Sequence, residues 1–174
     1  MKFLTYSQCA EWCALHGFPT NQNEGYIVGP DPDLQSPPFH FAEFTPPIDS
    51  GQKVWLAKFL YSLFQPSAEL LIWLGDWAVW QSGQHMPLFT RFRQALGENR
   101  PLIEAPGHLV TADDADGAIS IISVSLLFTW NCHVLSGAGR DAVFLSHDEF
   151  GWFASRDQSI TESVRQKMDA AALT

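Results

Sequence analysis

The chain has 174 residues, ten basic against nineteen acidic, for a formal charge of −9. So acidic a surface repels a phosphate backbone, which argues against nucleic-acid binding. The length suits one domain able to bury roughly two thirds of its surface, and thirteen Phe and seven Trp make the expected core aromatic.

The first predicted helix starts at Thr5. Thr5-Tyr-Ser-Gln8 is a capping-box sequence, in which hydroxyl and amide satisfy free backbone donors. Cys9, Trp12 and Cys13 share a face of it, and Gly17 supplies a stop. An odd count of three cysteines, Cys9, Cys13 and Cys132, argues against a disulfide framework; Cys9 and Cys13 read as small core residues. Two short strands are expected next, at 25–28 and 39–44. The second is bracketed by Pro37, Pro38, Pro46 and Pro47, which places it at a sheet edge.

Asp49-Ser-Gly-Gln52 is a second capping sequence, and Lys53 to Phe64 reads as a helix with Val54, Trp55, Phe59, Leu60, Leu63 and Phe64 inward. Glu69 to Leu74 reads as a buried central strand. Met86 to Leu96 reads as a third helix with Leu88, Phe89, Phe92 and Leu96 inward and Arg91 and Arg93 on its polar side. Leu102 to His108 is a short strand and turn. Asp113 or Asp114 then caps a nearly all-apolar helix running to Ser125 or beyond. Trp130–Leu135 and Ala142–Leu145 flank a Gly-rich hairpin turn. A final helix from Ser159 to Leu173 has a weak apolar face and is expected to be loosely attached, outside a domain spanning residues 1–158. The whole predicts an α/β or α+β domain: a mixed sheet of about five strands with helices on its faces.

Four constellations carry candidate chemistry. In Ser146-His147-Asp148-Glu149, His147 is a candidate base or metal ligand, with Asp148 or Glu149 as its orienter. The competing structural reading has Ser146 or Asp148 cap a short helix through Trp152 and Phe153. In Glu104-Ala-Pro-Gly-His108, His108 follows a turn; two strands ending on one sheet edge would let His108 meet His147, a pairing suited to zinc or iron. Trp73-Leu-Gly-Asp-Trp77-Ala-Val-Trp80 is either an aromatic anchor surface or a set of core plugs; Asp76 within it would cap the turn or pair with Arg91 or Arg93. Asp113, Asp114 and Asp116 are either contacts for a basic partner or a helix cap. Cys132 and His133, adjacent on a strand, face opposite sides and form no nucleophile–base pair. Nucleotide-binding and hydrolase-elbow motifs do not occur in the sequence.

The islands Leu74-Gly-Asp-Trp77-Ala-Val-Trp80, Glu104-Ala-Pro-Gly-His108, Trp130-Asn-Cys-His-Val-Leu135 and Leu145-Ser-His-Asp-Glu149 resemble a widespread bacterial family of small uncharacterised proteins. Such proteins are similar in size, acidity and single-domain build to immunity proteins that neutralise a cognate toxin. The resemblance implies a non-enzymatic binding protein without a cofactor, blocking a basic toxin, with Trp77, Trp80, Asp113, Asp114 and Asp116 as contacts. The alternatives are a metal-dependent or acid–base enzyme using His108, His147, Asp148 and Glu149, and a structural subunit of a larger assembly. The N-terminus turns polar too early for a signal peptide, and neither 70–74 nor 119–130 is long and apolar enough to cross a bilayer, so a cytoplasmic setting is expected.

Overall fold

The structure, a computed structural model, describes residues 1–20, 30, 39–64, 69–77, 79 and 82–171. The strand expected at 25–28 lies outside them. The described strands are β1 (Lys2–Leu4), β2 (His40–Phe44), β3 (Glu69–Leu74), β4 (Gly107–Thr111), β5 (Cys132–Ser136), β6 (Asp141–Leu145) and β7 (Gly151–Ser155). The helices are α1 (Tyr6–Leu15), α2 (Ser50–Ser62), α3 (Met86–Ala95), α4 (Ala115–Phe128) and α5 (Gln158–Ala170). One seven-stranded sheet runs in the order β1-β4-β3-β5-β6-β7-β2. Every neighbouring pair is antiparallel. The α+β reading therefore holds, while the mixed sheet of about five strands is corrected to seven antiparallel ones. Two strands account for the difference. β1 is too short to show a period, and β7 follows polar residues that read as a helix cap.

β3 shows why its sequence is apolar throughout. Leu70, Ile72 and Leu74 enter a core shared with α2, α3, α4 and α5. Leu71 and Trp73 enter a second core, beneath α1, with Cys9, Trp12, Cys13 and Trp152. A strand covered on both faces needs no polar alternation. α1 carries the expected capping box: Thr5 N donates to Gln8 Oε1 at 2.9 Å, and Gln8 N to Thr5 Oγ1 at 3.4 Å. Gly17 follows at φ +72°, as a left-handed stop requires. α2 is capped by Asp49, which accepts from Gln52 N at 2.9 Å. β4, α4 and β5 form a split β-α-β unit, with β3 inserted between the two strands.

Three helix faces differ from expectation. In α2 the buried residues are Leu56, Ala57, Leu60 and Tyr61, while Trp55 is 48% exposed and stacks on Phe59 at 5.5 Å. Phe59 still packs against the larger core, and Trp55, which periodicity assigns inward, stacks on its outer side. In α3 Phe89 is buried, but Leu88 and Leu96 are exposed and Arg93 lies inside. Arg93 donates to the carbonyls of Ala105 (2.7 Å) and Arg100 (3.4 Å), and its guanidinium stacks over Phe3. These acceptors replace water, so the charge is held indoors. α5 buries Thr161, Val164 and Met168, the last two in the larger core; its apolar face is narrow, but it lies against β2 and β7.

The outer strands are β1 and β2. Each has one main-chain carbonyl taken by an arginine: Phe3 O by Arg100 Nη2 (3.3 Å) and Phe41 O by Arg165 Nη2 (2.7 Å). Thr161 of α5 also donates to His40 O at 3.3 Å. No helix among the described residues is long and apolar enough to cross a membrane.

Candidate functional site

The Ser146–Phe150 segment is a turn, not a helix start. Ser146 N donates to Phe150 O (2.8 Å) and Glu149 N to Ser146 O (3.2 Å), closing the β6–β7 hairpin. Ser146 Oγ accepts from Asp148 N at 3.1 Å, so the capping chemistry of Ser146 is spent inside the turn. The chain then extends because Gly151 must pass closely by β2 and β6. A Cβ there would stand 2.6 Å from a Phe44 ring carbon and 2.8 Å from Phe144 O.

His147 is held by a residue that sequence reasoning overlooked, Asn131. Its Oδ1 accepts from His147 N (2.7 Å) and lies 2.9 Å from His147 Nδ1. An amide oxygen can only accept, so Nδ1 carries a proton. Nε2 lies 3.5 Å from Asp148 Oδ1. Asn131 is itself fixed: its Nδ2 donates to Asp76 Oδ2 (2.8 Å), and its main chain bridges Asp76 O and Gly75 N. Asp76 thus pairs with Asn131, not with Arg91 or Arg93. The three residues join the ends of β3, β5 and β6 along one sheet edge. The Asp76–Asn131 link spans 55 positions, so no local motif announces it. Replacing Asn131 with Ala removes the acceptor shared by the main-chain N and ring Nδ1 of His147 and takes the Asn131 donor from Asp76. The expected cost is about 1–3 kcal/mol in urea denaturation. An unchanged midpoint would show that the Asp76–Asn131–His147 chain is not formed in solution.

His108 does not join this group. It lies on β4, three strands from β6, and three inter-strand steps of roughly 4.8 Å put the two imidazoles on the order of 14 Å apart. His108 is fully buried, packed by Phe3 and Phe89 at ring centroids of 5.4 and 5.9 Å. The carbonyls of Ile72 and Pro106 lie beside the ring, but neither nitrogen makes a hydrogen bond of normal geometry. Burial and then the Arg93 charge push its pKa down to about 3. His133, on the α1 face against Phe144, is likewise pushed by burial to about 3. The three thiols are buried and their pKa values raised, with Cys13 and Cys132 reaching about 12 through burial. No group of three or more His, Cys, Asp or Glu that could hold a metal occurs among the described residues. The metal reading of His108 with His147 loses its geometry.

The expected partner contacts do not form one patch. Trp77 is half-buried against the larger core, and Trp80 lies outside the described residues. Asp113 and Asp116 are exposed at the start of α4, beyond the end of β4. Thr111 pairs with Glu69 at the opposite end of β3 from Trp77, so the six residues of β3 separate the two groups by roughly 20 Å. Asp114 is partly buried and pairs with the Met1 amine at 2.7 Å.

A cleft of about 160 Å³ opens beside the His147 turn. The loop before α2 (Pro46, Pro47), the end of α4 (Leu126, Thr129) and the β6–β7 turn (Ser146, Glu149) enclose it, and Lys53 of α2 joins the wall. Four separate segments build it, and none announces the others in sequence. Comparison with protein families, with curated proteins and with solved structures finds no match to this chain.

Proposed function

We propose that this is a non-enzymatic binding protein of the toxin-immunity kind, holding a basic partner protein through its acidic end. The observation that supports this is the state of Asp113 and Asp116. Both are exposed, and neither pairs with a basic side chain among the described residues. They sit on a chain carrying nine more acidic than basic residues. Such a surface raises the association rate of a cationic partner and loses that advantage in salt. Trp77, packed into the core, is a weaker candidate contact than the resemblance implies. The structural-subunit reading needs Trp77 and Trp80 together in an exposed apolar patch; Trp77 is half-buried, and Trp80 lies outside the described residues.

The test is affinity capture from the native host followed by mass spectrometry, with the Asp113→Lys/Asp116→Lys double variant run in parallel. One stoichiometric basic partner is expected, captured by the wild type and at least about tenfold less by the variant. Equal capture by both, or no stoichiometric partner, would overturn the reading.

A second reading keeps His147 as a base, because Asn131 orients its ring, Asp148 Oδ1 lies 3.5 Å from Nε2 and 22% of the side chain is exposed. Its nitrogen-15 chemical shifts should report a proton on Nδ1. The opposite tautomer would remove that reading.

A further inference from the structure

We infer that the cleft between the loop before α2, the end of α4 and the β6–β7 turn binds a free α-amino acid with an aliphatic side chain of leucine size. This goes beyond the partner reading and is independent of it.

Two non-glycine residues among those described have positive φ: Thr129 at 51° and Glu149 at 62°. Thr129 is β-branched, for which the left-handed region is a steric outlier, and an unstrained chain would place Gly or Asn at either position. Both line this one cleft. Left-handed backbone held by bulky residues gathers where geometry serves a ligand.

Lys53, half-buried, and Glu149, exposed, both line the cleft, and no ion pair joins either to another protein group among the described residues. α4 points its C-terminal, negative end at the same space, and its last turn carries no Lys, Arg or His to compensate. The cleft is therefore dipolar: Lys53 suits a carboxylate, while Glu149 and the α4 terminus suit an ammonium. A zwitterion satisfies both poles, and a singly charged ligand leaves one unanswered.

Much of the remaining wall is apolar: Pro46, Pro47, Leu126 and Leu145. A volume of about 160 Å³ is close to that of an apolar cavity that admits benzene, so an aliphatic group of leucine size fits. Buried Ser125 and Ser146 add hydroxyl oxygens to the lining, both already bonded within the protein. They limit rather than enlarge the polar demand on a ligand.

The test is titration calorimetry with L-leucine on the full chain, with thermal shift alongside. Leucine is expected to bind saturably. 4-Methylpentanoate and 3-methylbutylamine, each keeping one charge, should bind at least about tenfold more weakly, because each leaves a charged partner unmatched. Lys53→Met and Glu149→Gln should each weaken leucine by a similar factor. Glu149→Gly gives the discriminating result: it removes the carboxylate and relieves the strain, so the unliganded protein should melt higher while leucine binding falls. Absence of saturable binding at millimolar leucine, or binding that these three variants leave unchanged, would overturn the inference.

Discussion

Mild acid is expected to destabilise this protein steeply while most of its carboxylates are still ionised. His108 and His133 are buried, and their folded-state pKa values lie near 3, against about 6.5 in an unfolded chain. Above pH 6.5 both rings are neutral in either state and stability does not depend on them. Between about 6.5 and 3 the unfolded chain takes up two protons that the folded chain cannot accept. Stability is then lost as pH falls, by up to about 2.7 kcal/mol per pH unit with both sites engaged. Two units of acidification cost about 5 kcal/mol, comparable to the lower end of the 5–15 kcal/mol typical of a domain. Urea midpoints followed by circular dichroism at pH 7, 6, 5 and 4.5 measure the slope. The His133→Phe variant keeps an aromatic ring against Phe144 and removes one titrating site, so its slope should be about half. A flat profile from pH 6.5 to 5 would show that both rings reach solvent in the folded state.

Substituting Gly107 by Ala is expected to cost about 3 kcal/mol or more, near the upper end for an overpacked core. Its Cβ would stand 2.1 Å from Cys9 Sγ and 3.1 Å from Leu4 Cβ. Cys9 is fully buried in α1, and Gly107 begins β4 opposite Leu4 of β1. Both sides of the clash belong to regular elements, so relief requires moving α1 off the sheet. The partner substitution Cys9→Ala empties the contested space. The double variant should recover more than half of the loss, giving a coupling of about 1–3 kcal/mol in a thermodynamic cycle. Additive losses would mean that the helix does not approach the sheet at this point.

Much of the fold is written locally. Thr5 to Gln8 and Gly17 mark both ends of α1, and the unbroken apolar run of β3 marks a strand covered on two faces. Periodicity fails where a surface contact or an internal acceptor outweighs polarity. Trp55 stacks on Phe59 at the rim of the core, while Arg93 finds carbonyls inside it. β7 is misread because Ser146, Asp148 and Glu149 have the composition of a helix cap, yet Ser146 and Glu149 close a hairpin instead. His147 stands out in the sequence. Its anchor Asn131 does not, because a lone Asn at the head of a strand has no signature, and Asp76 is joined to it only by the folded sheet. The failure of His108 to reach His147 follows from strand order, which local patterns do not encode.

The two arginines at the outer strands bear on how the molecule behaves in crowded solution. An open sheet presents unpaired main-chain groups at both sides, and another chain can extend it by adding a strand. Arg100 at Phe3 O and Arg165 at Phe41 O place a cation at each of those sides. A strand arriving from a second copy must displace a guanidinium that is also paired with Glu98 or Glu162. Loss of either arginine is therefore expected to favour association of copies through that side, which light scattering against the intact chain would show.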